Sequence, residues 1–206
     1  MARLRGLYAI TDAGLTPPPR LMACVESALR GGARLVQYRD KSADHARRLA
    51  EATALVSLCE RYGASLIIND DVTLCLRSGA AGVHLGLEDT GVREARRLLG
   101  PEAIIGATCH GEPALAASAV ADGASYVAFG RFYASGTKPG APPARLEVVA
   151  PALAGLGVPA CAIGGVTLQT APDLLDAGFS MVAVIGDVFG SQDIEARCRA
   201  YAALFG

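Results

Sequence analysis

Two carboxylates and three cations recur in this 206-residue chain, each placed after a short apolar run. Asp70 follows Leu66-Ile67-Ile68, and Asp89 follows Val83-His84-Leu85. Arg39 and Lys41 follow Leu35-Val36, and Lys138 follows the run from Tyr126 to Phe129. A carboxylate pair is enough for Mg2+, which takes one or two protein carboxylates and fills its remaining positions with substrate phosphate oxygens and water. Three cations beside such a pair suit a polyanion such as a pyrophosphate. A second set points to another anion. Gly164-Gly165 and Gly186 each follow an apolar run, where backbone N–H groups and a helix start can cradle a phosphate. Ser135 and Thr137 add hydroxyl donors. Each residue alone has a plainer use. Asn69-Asp70-Asp71 and Asp89 can cap helices, Arg39 and Lys41 can form a solvated rim, and the glycines can serve tight turns. The combination carries the information.

The elements that must position these residues are legible as a repeat. Gly32, Gly63, Gly79, Gly100, Gly123, Gly157 and Gly178 each precede a short apolar run ending in polar residues. Leu7-Tyr8-Ala9-Ile10, ending in Thr11-Asp12, opens the series. Continuous apolar runs are the mark of parallel strands buried on both faces. Between them lie helical patterns, such as Leu21, Met22, Val25, Ala28 and Leu29, or Ala46, Leu49, Ala50, Thr53, Val56 and Cys59. Val72 to Gly79 has room for only a short helix, and the last helix runs from Ile194 to Leu204. Glycine just past a helix end is a frequent stop, because it accepts positive φ. Strand then helix, eight times, predicts an α/β fold: a single (β/α)8 TIM barrel over residues 1–206. An open doubly wound sheet is the alternative. In a barrel the polar tips gather at the C-terminal ends of the strands, where active sites are built. The irregular stretch 131–145, rich in Gly, Pro, Ser and Ala, has the length of a functional loop. Among the histidines, His84 lies inside an apolar run and reads equally as a satisfied core residue or a ligand contact. His110 is a candidate titrating group, and His45 belongs to the surface of a helix.

Composition excludes several classes. About half of the residues are apolar and the formal net charge is −1, so neither disorder nor a basic nucleic-acid or membrane-binding field is expected. No run approaches the ~20 apolar residues of a membrane span. Arg3 and Arg5 are followed at once by a strand-like run rather than by a signal-peptide core. The six cysteines form no CxxC motif and sit in apolar runs, which fits reduced thiols in the cytoplasm. Small-molecule substrates are the expected partners, with homo-oligomerisation left open.

The ordered motifs Gln37-Tyr38-Arg39-Asp40-Lys41, Asn69-Asp70, Gly86-Leu87-Glu88-Asp89, Ser135-Gly136-Thr137-Lys138 and Ile163-Gly164-Gly165-Val166 resemble those of the thiamine-phosphate synthases, from Leu7 to about Phe189. That resemblance implies a (β/α)8 barrel that joins a hydroxymethylpyrimidine pyrophosphate to a thiazole phosphate, releasing pyrophosphate. It also implies roles. Gln37, Arg39, Lys41, Asn69 and Lys138 would hold the pyrimidine pyrophosphate, and Tyr38 and Asp40 of the same motif would also be substrate-binding. Asp70 and Asp89 would bind Mg2+. Thr108, where the family usually has Ser, would contact the pyrimidine through its hydroxyl. Ser135, Thr137 and Gly165 would take the thiazole phosphate, with Gly136 also substrate-binding and backbone help near Ile185 and Gly186. The chain departs from the family at Ala134-Ser135, where Pro-Thr is common, and at Arg131, where a small or apolar residue is usual. Ile185-Gly186 replaces a common Val-Ser pair, which leaves that phosphate contact to backbone N–H alone.

The chemistry implied needs no general base, because the attacking thiazole nitrogen carries no proton. Arg39, Lys41, Lys138 and Mg2+ would stabilise the leaving pyrophosphate, Thr108 and Gln37 would orient the ring, and the 131–145 loop would exclude water. Two rivals share the scaffold. A thiazole tautomerase-like isomerase would rely on His110 for proton transfer, and a non-catalytic barrel would only bind phosphate.

Overall fold

In a computed structural model, which describes residues 4–134 and 143–206, eight parallel strands close into a barrel in chain order. The strands are β1 (Gly6–Ile10), β2 (Leu35–Tyr38), β3 (Ser65–Asn69), β4 (Gly82–Leu85), β5 (Ile104–Thr108), β6 (Tyr126–Phe129), β7 (Ala160–Ile163) and β8 (Met181–Val184). Tyr8 of β1 stands beside Leu35 of β2 on one side and Ala183 of β8 on the other. This closure excludes the open sheet. Helices cover the outside, so β1, β2, β6 and β8 are buried at every position, which is why each reads as an unbroken apolar run.

The side-chain period of two divides each strand between two cores. Tyr8, Ile10, Leu35, Ile67, Tyr126, Ala128, Cys161, Met181 and Ala183 fill the barrel. Leu7, Ala9, Val127 and Phe129 face out, with Val36, Ile68, Val83 and Ile105 in a second cluster beneath the other helices. The interior is therefore packed, and a cavity opens above its upper layer.

The covering helices are α1 (Pro18–Arg30), α2 (His45–Arg61), α3 (Val72–Ser78), α4 (Val92–Leu99), α5 (Pro113–Ala121), α6 (Leu146–Leu153), α7 (Ala171–Asp176), α8 (Gly186–Phe189) and α9 (Ile194–Ala203). None is long and apolar enough to cross a membrane. All seven glycines of the repeat have positive φ, between 63° and 105°. Gly79 shows the use: it ends α3 in the left-handed conformation while its N–H reaches the Cys75 carbonyl, a geometry that a Cβ would strain.

Two expectations are corrected. The buried face of α2 is Ala52, Leu55, Leu58 and Cys59, whereas Ala46, Ala50 and Thr53 are exposed. Two apolar stripes compete on this helix, and the one carrying two leucines has more area to remove from water. The eighth unit also carries two helices, because the four-residue α8 begins at Gly186, directly after β8 and ahead of α9.

Candidate active site

The polar tips line one cavity of about 820 Å³ at the C-terminal mouth of the barrel. Gln37, Arg39, Lys41, Asn69, Asp70, Asp89, Thr108, Gly165, Ile185 and Gly186 all reach it. Tyr38 and Asp40 do not. Strand alternation continues past the end of β2, turning Gln37, Arg39 and Lys41 inward and Tyr38 and Asp40 toward α2. There the Tyr38 hydroxyl donates to Glu51 Oε2 at 2.6 Å, and Asp40 pairs with Arg47 at 2.8 Å. These two side chains therefore brace the loop against α2 rather than line this cavity. Ser135, Gly136, Thr137 and Lys138 lie outside the described residues.

The cationic tip is held by its neighbours. Arg39 pairs with Asp12 at 3.6 Å, and its N–H donates to the Thr11 hydroxyl at 2.9 Å. Arg47 supports the loop from behind. It bonds Asp40, Glu51 and the Ser42 hydroxyl, and lies 3.6 Å from Asp44. Desolvation would raise the Asp40 carboxyl, but hydrogen bonds from Ser42 and the Arg47 guanidinium outweigh it and hold the group below its ordinary 3.8.

The acidic tips separate two roles that the sequence left joined. Asp71 is the helix cap, accepting the Leu74 N–H at 2.8 Å. Asp70, at φ 65°, faces the cavity with Lys41 Nζ 3.6 Å from its carboxylate. Positive φ is uncommon for a residue with a side chain, although Asp tolerates it better than most, and strained backbone of this kind concentrates at functional positions. Asp89 does not cap α4, whose N-cap is Gly91. It instead accepts the Gly86 N–H at 2.7 Å, which orients its carboxylate at the rim.

On the opposite wall, Gly164 and Gly165 take φ values of 98° and 67°. A Cβ on either would run into the backbone of the 131–134 segment, whose Tyr133 N–H bonds the Gly164 carbonyl at 2.9 Å. Gly186, the first residue of α8, has open space where a Cβ would stand. Behind it, Asp187 is tied to Arg197 at 3.2 Å and to the Tyr201 hydroxyl at 2.7 Å, which fastens α8 to α9. Arg131 and His110 also line this cavity. His45 is exposed at the start of α2, as expected.

The floor of the cavity is a chain of hydrogen bonds that residue spacing alone does not reveal. Gln37 Nε2 donates to the Tyr8 hydroxyl at 2.8 Å, Tyr8 meets the Tyr126 hydroxyl at 3.0 Å, Tyr126 meets His84 Nδ1 at 2.9 Å, and His84 Nε2 meets Thr108 Oγ1 at 2.9 Å. His84 is thus both a satisfied residue and a wall of the cavity. Burial raises both phenols above their ordinary value, so they stay protonated. The sequence signal for Tyr8 and Tyr126 was the strand alternation, which puts them inside the barrel with Ile10 and Ala128.

The sequence profile of a family described as "Thiamine monophosphate synthase" matches residues 7–188. The chain is 57% identical over 198 residues to a thiamine-phosphate synthase of Marinobacter nauticus, covering 95% of this chain and 89% of that protein. It is 55% identical over 203 residues to a thiamine-phosphate synthase of Thioalkalivibrio sulfidiphilus, covering 98% and 96%. The solved structure of thiamine phosphate pyrophosphorylase from Pyrococcus furiosus superposes with a TM-score of 0.88 at 30% identity, over 97% of this chain and 95% of that one.

Proposed function

The chain belongs to the thiamine monophosphate synthase family, and on that premise we propose how its cavity carries out the synthesis of thiamine phosphate. The pyrimidine pyrophosphate lies over the floor with its diphosphate toward Arg39 and Lys41, and Lys138 joins them from the loop after β6. Asn69, Gln37 and Thr108 orient the ring. The thiazole phosphate lies against Gly165, Ile185 and Gly186, with Ser135, Gly136 and Thr137 supplied by the same loop. The observation that carries this reading is the placement of two cations and two carboxylates on one rim, opposite the glycine turn and the start of α8.

The donor set fits Mg2+. Asp70 and Asp89 provide carboxylate oxygens, and among the described residues no cluster of three or more His, Cys, Asp or Glu side chains forms a closed cage. A hard cation that keeps open positions for substrate oxygens and water is the one suited to such a pair. When bound, Mg2+ supplies Lewis-acid stabilisation of charge on the pyrophosphate oxygens.

The chain's own residues do the rest. The bond from the pyrimidine methylene carbon to pyrophosphate oxygen breaks, and the thiazole nitrogen lone pair forms the new C–N bond. Arg39 and Lys41 neutralise charge that grows on the leaving oxygens, an effect that often dominates catalysis. No proton leaves the nucleophile, so no side chain is needed as base. The electron-rich aminopyrimidine supports cationic character at the methylene carbon, so the packed barrel below serves to keep water from trapping it. The reaction takes place in one barrel domain, and six buried free thiols suit the reducing cytoplasm. The isomerase and binding-only alternatives do not use the paired carboxylates and cations.

The test is incubation with both substrates and Mg2+, with and without a chelator, assayed for thiamine phosphate and pyrophosphate. Both products form with metal and neither forms with chelator. Binding of both substrates without product would leave a phosphate-binding barrel, and turnover untouched by chelator would remove the metal from the scheme.

A further inference from the structure

The hydrogen-bond chain across the floor links β2, β1, β6, β4 and β5, and its members are buried or line the cavity. Its direction follows from counting donors. A hydroxyl has one proton to give. Tyr8 accepts from Gln37, and among the described residues its other hydrogen-bond neighbour is Tyr126, so Tyr8 donates to Tyr126. Tyr126 then donates to His84 Nδ1, which must be the unprotonated ring nitrogen. The ring proton is on Nε2 and is donated to Thr108 Oγ1. The Thr108 hydroxyl proton, with no acceptor among the described residues, is directed to the cavity, as is the Gln37 carbonyl oxygen at the other end.

Gly106 makes this contact available. It is the register partner of His84 on β4 and of Tyr126 on β6. A Cβ at Gly106 would overlap the Tyr126 ring. Without one, Tyr126 reaches across β5 and stacks on His84 with ring centroids 5.6 Å apart. A buried phenol and imidazole side by side would leave polar atoms unpaired unless the whole chain formed.

We propose that Tyr8, Tyr126 and His84 are positioning residues, whose hydrogen-bond chain holds Thr108 as a donor toward a ring nitrogen of the pyrimidine and Gln37 as an acceptor. The proposal rests on the reading of Thr108 as the pyrimidine contact. Tyr126 is its critical member, because its proton decides the tautomer of His84. Reversing the direction at any one bond requires the amide of Gln37 to turn over and the imidazole to exchange tautomers, so the two ends change role together or not at all.

Two measurements test it. In the intact wild-type protein labelled with 15N-histidine, long-range proton–nitrogen correlations report the tautomer directly, and the three histidines are separated by the loss of one signal in His84→Asn. A neutral ring protonated at Nε2 is expected, and Tyr126→Phe shifts it to a mixture. A ring protonated at Nδ1 in the wild type overturns the direction. The second is a double-mutant cycle. Tyr126→Phe alone lowers kcat/KM for the pyrimidine substrate about tenfold, the scale of one lost hydrogen bond, and leaves KM for the thiazole phosphate unchanged. In a Thr108→Val background the same change costs less than about twofold, because the group it acts through is gone. An equal loss in both backgrounds, or an equal rise in both KM values, overturns the proposal. Tyr8→Phe breaks the chain one bond earlier and serves where Tyr126→Phe folds poorly. A wild type that makes no thiamine phosphate refutes the functional reading instead, whatever the tautomer.

Discussion

Among the described residues, the Gly86 N–H fixes the direction of Asp89 and the Asp12 carboxylate that of Arg39. Neither is needed to hold the barrel together, since both stand at the rim. Asp89→Ala and Arg39→Ala are therefore expected to fold normally and to lose at least about two orders of magnitude in turnover, the scale of a missing electrostatic contact. Steady-state kinetics with saturating Mg2+ checks this, and near-normal turnover in either variant removes that residue from the scheme. Gly186 gives a prediction of opposite sign. Its Cβ position is open and its φ needs no glycine, so Gly186→Ser fits without strain and restores the hydroxyl common in the family. The expected result is a KM for the thiazole phosphate lowered by about threefold to tenfold, one hydrogen bond's worth, with the pyrimidine KM unchanged. At this scale the sequence was legible wherever type and spacing sufficed, as for Gln37, Arg39, Lys41, Asp70 and Asp89. It was not legible for Tyr38 and Asp40, which share a motif with the cavity-lining residues but point the other way.

The loop between β2 and α2 is braced by one side chain. Arg47 ties Asp40, Ser42 and Glu51 together behind Arg39 and Lys41. Arg47→Ala is expected to raise KM for the pyrimidine pyrophosphate about tenfold or more, because displaced positioning groups cost rates far out of proportion to the shift. The pH dependence has a definite sign. Asp40 is held below its ordinary 3.8, so its contribution is present above that pH and is lost as pH falls through the lower folded value. Crossing from β4 to β6 depends on Gly106. Gly106→Ala forces the Tyr126 ring aside, with an expected stability loss of about 1–3 kcal/mol for overpacking, measurable by denaturant unfolding. Elements of this kind were only half legible. The strand runs and helix stops could be read, but the buried face of α2 could not, because two stripes with helical spacing differ only in how much apolar area they offer.

Across the molecule, all six cysteines are buried and unpaired. Burial pushes the Cys75 thiol up to about 11, and Cys59, Cys109 and Cys198 to about 12. A thiol-reactive dye at neutral pH is therefore expected to label the native protein very slowly and all six cysteines after unfolding. Thiols with folded values above their ordinary 9.0 keep protons that the unfolded chain releases, so stability falls as pH rises past about 9. The buried tyrosines Tyr8, Tyr38, Tyr126 and Tyr201, raised above 10.0, steepen that fall. A thermal midpoint that stayed level from pH 8 to pH 11 would contradict this account.

By itself the sequence determined the repeat: eight apolar runs, glycine stops, and polar tips at one end of every strand. Burial on both faces forces such runs, and a parallel barrel puts every tip on the same rim. Only the tertiary structure decided which residues meet inside. Tyr8 and Tyr126 are 118 positions apart, and His84 and Tyr126 are 42 apart. Their contact depends on barrel closure, on the register between strands, and on the missing side chain at Gly106, none of which leaves a local trace in the chain. The rim chemistry was written in single residues, whereas the floor that positions it exists only when the barrel closes.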